Sequence, residues 1–172
     1  MPRLVILAGV ASLMSVAACG TASHASSSPS PTQSYVLVSP SAAPCTLVTA
    51  AEASSLAQTT LAASPRSGLP VMACFYTNAA STSRVVIAIQ QYADARMARS
   101  TYDLLAQQYT ENGDTSTPVS GVGDRAAIFH NEPAVDLIFF AKGSAIVAIS
   151  VYPAVSDSDL SAIGVIAASR LP

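Results

Sequence analysis

The chain has no tryptophan, one lysine against seven arginines, two histidines and three cysteines in 172 residues, and only 10% of it is charged. Each scarcity closes something off. The net charge is −2, with no basic run and no interleaving of basic and aromatic residues, so nothing is offered to a phosphate backbone and nucleic acid is excluded as a partner. Catalytic signatures are missing too: there is no Gly-x-Ser-x-Gly elbow, no His-Glu-x-x-His, no P-loop and no dinucleotide fingerprint. Gly121-Val122-Gly123 lacks a third glycine and precedes a predicted strand, so it reads as a turn whose glycines supply positive φ, with Asp124 capping it. His24 lies in a polar segment and reads as solvated. His130 could be combined with Asp124 or Asp136 and a serine into a triad, but no spacing supports one. Glu132 and Asp136 could pair as acid and base, but both sit at a hairpin, where charges are expected in any case. No enzyme activity, cofactor or metal site is expected.

What is present begins with a leader. Arg3 is followed by an uncharged run, Leu4–Val16, which has the length of a signal-peptide core and is too short to span a bilayer comfortably. Val16-Ala17-Ala18-Cys19 then resembles the lipobox of bacterial lipoproteins. The resemblance implies cleavage before Cys19, acyl chains (palmitate among them) on its sulfur, and a protein held on the outer side of the cell membrane. Residues 1–18 are therefore expected to be a signal peptide and residues 19–44 a tether. The tether is rich in Ser, Pro, Ala and Thr and cannot bury enough apolar surface to order itself. Tyr35-Val36-Leu37-Val38 interrupts it and reads either as a small edge strand or, the favoured reading, as a stretch without order.

Residues 45–172 are expected to form a single extracytoplasmic domain. With Cys19 acylated, Cys45 and Cys74 remain, in an oxidising compartment, and read as a disulfide rather than two buried thiols. Closing a loop of about 30 residues stabilises by roughly 3–4 kcal/mol in the chain-entropy model. Thr49-Ala50-Ala51-Glu52 is a capping box that starts a helix running to about Ala62, with Ala53, Leu56, Ala57 and Leu61 inward. Pro65 and Gly68-Leu69-Pro70 are expected to form a loop. Strands follow at 71–77 and 84–92, then a helix at about 93–109 with Ala98, Tyr102, Leu105 and Tyr109 on one face. Polar residues to Pro118 end that helix. Three more strands follow at about 125–130, 135–141 and 144–152, with turns at Asn131-Glu132-Pro133 and Lys142-Gly143. A last helix begins after Ser156, with Leu160, Ile163, Gly164, Ala167 and Leu171 inward. The expected fold is α+β, in the order α-β-β-α-β-β-β-α: a five-stranded, largely antiparallel sheet with helices on one face.

Cys45-x-Leu47-x-Thr49-x-x-Glu52, Cys74-Phe75-Tyr76 and Gly121-Val122-Gly123-Asp124-x-Ala126, taken in that order behind a lipobox and a Ser/Pro tether, resemble a family of small actinobacterial lipoproteins of unknown function. That family is similar in pattern to the extracellular sensor domain of mycobacterial receptor kinases. The resemblance covers about Cys45 to Leu171. It departs at Phe75-Tyr76, where a tryptophan is frequent. It implies a paired Cys45–Cys74 and an α+β fold, and it implies no enzymatic activity.

The last two strands are apolar on both parities, whereas a solvated antiparallel face would alternate. Either the second face is covered, or it forms an apolar groove or contact patch drawn from Ile138, Phe140, Ile146, Ala148 and Tyr152, or from the opposite parity. The function expected is a non-enzymatic envelope lipoprotein that binds an apolar ligand or a protein partner. The alternatives are an unrecognised envelope hydrolase and a purely structural surface component.

Overall fold

A computed structural model describes residues 36–68, 71–131 and 135–172. The expected signal peptide, Cys19, the expected tether through Tyr35 and the turn expected at Asn131-Glu132-Pro133, past its first residue, lie outside the described residues. Among the described residues the fold is α+β, with four helices and one large antiparallel sheet. In chain order the elements are β1 (Leu37–Val38), α1 (Pro44–Leu47), α2 (Ala50–Leu56), β2 (Ala62–Gly68), β3 (Val71–Thr77), β4 (Arg84–Tyr92) and α3 (Ala95–Glu111). They continue with β5 (Thr115–Pro118), β6 (Arg125–Asn131), β7 (Val135–Lys142), β8 (Ala145–Tyr152) and α4 (Asp157–Ser169).

The sheet has eight strands rather than the expected five, ordered β2-β3-β4-β8-β7-β6-β5, with β1 also on β4. The three additional strands all lie at its margins. Leu37 and Val38 pair with Tyr92 and Gln91, where β3 has already ended at its Met72–Ile89 pairing. The Tyr35–Val38 stretch, expected to be without order, is thus a docked strand at Leu37–Val38. Pro65 and Pro118, both expected outside regular structure, lie in β2 and β5, the two edge strands. Proline fits there because an edge strand has one side whose N–H groups need no ladder partner. Its presence also blunts an edge that would otherwise invite further pairing.

The helix after the capping box is shorter than expected. Thr49 Oγ1 accepts from the Glu52 amide and the Glu52 carboxylate accepts from the Thr49 amide, as the spacing predicts. But α2 stops at Leu56, Gln58 adopts φ 51°, and the Ser54 hydroxyl takes the Leu61 amide at 2.9 Å. Serine and threonine side chains offer the backbone such alternatives to helical bonds. Leu61 is still buried, from the turn rather than from a helix.

Helices cover both faces of the sheet, not one. On the first face α1, α2 and α4 enclose Cys74, Tyr76, Ile87, Ile138, Phe140, Val147 and Ile149 with Leu47, Ala53, Leu160, Ile163 and Ala167. On the second, α3 covers Tyr92, Phe129, Phe139, Ala141 and Ile146 through Ala98, Tyr102, Leu105 and Tyr109, the face its period indicates. Tyr102 stacks on Phe139 with ring centroids 5.0 Å apart, and Tyr109 meets Phe129 at the same distance. Both tyrosines are therefore packing residues.

Side-chain ties fix the first-face helices. Cys45 and Cys74 are bonded, with S–S 2.06 Å and Cα–Cα 5.1 Å, so α1 is stapled to β3. The buried Tyr76 hydroxyl donates to the Val48 carbonyl. Arg170 donates to both oxygens of Glu52 at 2.7 Å and to the Leu47 carbonyl at 2.9 Å, joining α4 to the α1–α2 corner. Arg170 holds the Glu52 carboxyl down at about 2, from 4.5, although burial pushes the other way. The stability this strap contributes is present above the unfolded value and is lost as pH falls through the folded one. Lys142 donates to the Ala168 and Leu171 carbonyls at 2.8 Å, satisfying orphan acceptors at the end of α4.

Candidate functional site

The β7–β8 hairpin decides which residues share a face. Lys142 pairs with Ala145 across Gly143-Ser144, a two-residue loop with Gly143 at φ 54°. In this register Ile138 sits opposite Ile149 and Phe140 opposite Val147. An even-numbered residue on β7 thus shares its face with an odd-numbered one on β8. The expected grouping of Ile138 and Phe140 with Ile146, Ala148 and Tyr152 is therefore split. Ile138 and Phe140 are fully buried under α4, and Ile146 is buried under α3. Ala148 is half-buried, and only Tyr152, 40% exposed, reaches solvent as a large apolar side chain.

Tyr152 marks a region of the second face that α3 leaves open. Tyr152 pairs with Arg84, Arg84 with Thr77, Phe75 with Val86, and Val86 with Ser150, which puts these side chains on one face. Phe75 and Val86 are half-buried and belong to neither core cluster. A cavity of about 560 Å³ lies here, lined by Arg66, Phe75, Thr77, Ser81, Arg84, Val135 and Tyr152. That volume falls within the roughly 300–1,000 Å³ usual for small-molecule sites. Hollows of about 210 and 220 Å³ along the α2–α4 side, and one of about 290 Å³ beside Gly121, are smaller.

The open region is apolar at its floor and cationic at its sides. The Arg66 guanidinium lies 5.2 Å from the centre of the Phe75 ring, a cation–π contact. Among the described residues, neither Arg66 nor Arg84 has an ion-pair partner. The two-sided apolar pattern signals a second face, but it does not signal Arg66 and Arg84: Arg66 lies in a stretch expected to be loop, and only the pairing of β2, β3 and β4 places Arg84 near it.

His130 is engaged elsewhere, on the first face. Its Nδ1 is 2.8 Å from Asp136 Oδ1, its cross-strand partner, and its Nε2 is 3.3 Å from Asp157 Oδ1 in the first turn of α4. The other oxygen of the buried Asp136 accepts from the Val155 amide at 3.1 Å. With both ring nitrogens facing carboxylates, the imidazole is placed to clamp α4 to the sheet rather than to take a proton from a hydroxyl. The Asp136 hydrogen bond, helped by the Asp157 charge, raises the His130 pKa above its ordinary value while burial opposes the rise. A raised value means the clamp contributes fully below about pH 6.5 and is lost as pH rises through the folded-state pKa. An NMR titration of His130 is expected to show a midpoint above 6.5 that moves back toward it in Asp136→Asn; a wild-type midpoint at or below 6.5 would refute the clamp. Asp124 also acts at a distance from its own turn: its carboxylate accepts from the Gly143 amide at 2.8 Å, tying one turn to the next.

Among the described residues, no group of three or more His, Cys, Asp and Glu side chains is arranged to hold a metal ion, and no helix is long and apolar enough to cross a membrane. No family model matches the chain, and no curated protein sequence matches it.

Proposed function

We propose that this protein is a lipid-anchored cell-envelope lipoprotein whose domain binds an apolar ligand or a protein partner without catalysing a reaction. The binding part is carried by one observation: Phe75, Val135 and Tyr152 belong to neither core cluster and line a cavity of about 560 Å³ on the open sheet face. Apolar surface left open on a folded domain marks a contact site more often than it marks an accident. The anchoring part is supported by Val16-Ala17-Ala18-Cys19 behind an uncharged run of signal-peptide length. Two or more acyl chains, each contributing roughly 0.8 kcal/mol per buried methylene, hold a domain at a membrane far longer than one. The likeness to small actinobacterial lipoproteins rests on the quoted motifs and adds to the same reading.

Two experiments test it. Metabolic labelling with a clickable fatty acid is expected to mark the wild type and not Cys19→Ala; equal labelling of both would refute the anchor. Mild extraction from membranes and mass spectrometry of co-eluting material is expected to find a lipid or protein that Tyr152→Asp loses. The same material co-eluting with both would refute the binding surface.

A further inference from the structure

Resting on the reading of the open sheet region as a binding site, we infer that its ligand is a single-chain amphiphile with an anionic head, a long-chain carboxylate. Three features carry this. The floor is apolar and aromatic: Phe75 and Val135 are half-buried and Tyr152 is exposed, all belonging to neither core cluster. The cavity, about 560 Å³, suits one extended chain. The cations are arranged about that floor rather than scattered. Phe75 pairs with Ser64 on β2 and with Val86 on β4. Arg66 and Arg84 each stand two residues along from those partners, so they are the diagonal neighbours of Phe75 on the same face, at about 7–8 Å.

Two guanidinium groups flanking one aromatic ring, with no carboxylate paired to either among the described residues, are a receptor for negative charge. The planar fork of arginine matches a carboxylate with two parallel hydrogen bonds, and it keeps its charge at any physiological pH. The surrounding apolar floor lowers the local dielectric, which strengthens the pairing once the chain of the ligand has displaced water. A neutral alkane derivative would fill the same floor and leave both cations unpaired. A small hydrophilic anion would meet the arginines and gain nothing from Phe75, Val135 or Tyr152.

The test uses the full chain carrying Cys19→Ser, handled without detergent, and a fluorescent anthroyloxy-labelled stearate as probe. Palmitate is expected to displace the probe at least tenfold more effectively than hexadecanol, its neutral counterpart, and far better than acetate. Arg66→Gln combined with Arg84→Gln is expected to remove that tenfold preference while leaving the weaker hexadecanol competition in place. Both positions are exposed, so the unfolding temperature of the double variant should stay within a few degrees of wild type. If palmitate and hexadecanol compete equally, the anionic head is wrong although an apolar site stands. If the probe binds and acetate displaces it as well as palmitate does, the chain-binding floor is wrong. If the probe does not bind at all, this inference and the small-molecule form of the proposed function fall together.

Discussion

Phe140→Asp is expected to leave almost no folded domain. Phe140 is fully buried on the first face, between Ala126 of β6 and Val147 of β8. Removing a buried phenylalanine side chain costs about 3–5 kcal/mol in lost transfer and cavity energy. An unpaired carboxylate in its place adds several kcal/mol, or is forced to protonate. Their sum rivals the 5–15 kcal/mol or so of a whole domain's stability. Tyr152→Asp provides the contrast: it changes an exposed residue on the open region and is expected to cost about 1 kcal/mol or less. Urea unfolding followed by circular dichroism distinguishes the two. A Phe140→Asp protein with a normal cooperative transition would put that residue outside the core and overturn the register described for β7 and β8.

The second large effect is expected at Gly123. Gly121 and Gly123 both have positive φ, 80° and 58°. They differ in their surroundings. A Cβ at Gly121 would meet nothing within 4 Å, whereas at Gly123 it would stand 2.4 Å from the Ala141 carbonyl oxygen. That carbonyl is held by the Asp124 amide at 2.7 Å, so the turn is drawn tightly against β7. Gly121→Ala therefore meets only the left-handed backbone penalty, about 1 kcal/mol. Gly123→Ala adds a backbone clash and loss of the Asp124–Ala141 bond, for about 3 kcal/mol or more. The unfolding temperature should drop several times further for Gly123→Ala than for Gly121→Ala. Equal small drops would mean the turn can swing clear of Ala141.

Where the sequence was a good guide, local chemistry and long-range packing agreed. The capping box at Thr49, the glycines at 121 and 123, the β7–β8 hairpin and the inward face of α4 each follow from a few neighbouring residues, and the sheet keeps them. What was illegible depended on position in the sheet. A proline is a breaker inside a ladder and harmless at an edge; Pro65 and Pro118 carry no sign of which applies. Leu37–Val38 is too short to show a period, so only its pairing with β4 reveals it.

The second face was legible in part. Apolar residues on both parities of β7 and β8 left two readings of the second face, covered or a contact patch, and α3 covers most of it there while helices had been expected on one face alone. Which residues share a face depended on the two-residue turn at Gly143-Ser144, because a shift of one residue exchanges every side chain between faces. The period of α3 identified its own apolar side without saying how much of the sheet it would cover. The open region around Phe75 exists because α3's buried contacts lie at Tyr92, Ile146 and Phe139, while the sheet extends past them to Arg84 and Tyr152.

That the open region is where this protein makes its contact is tested most directly by photocrosslinking in the intact envelope. A benzoylphenylalanine replaces Phe75 in one strain, Leu104 on the exposed side of α3 in a second and Val165 on the exposed side of α4 in a third. The account predicts a discrete adduct, identified by mass spectrometry, from position 75 alone. Adducts that form equally at 104 or 165, or at those positions and not at 75, would contradict it.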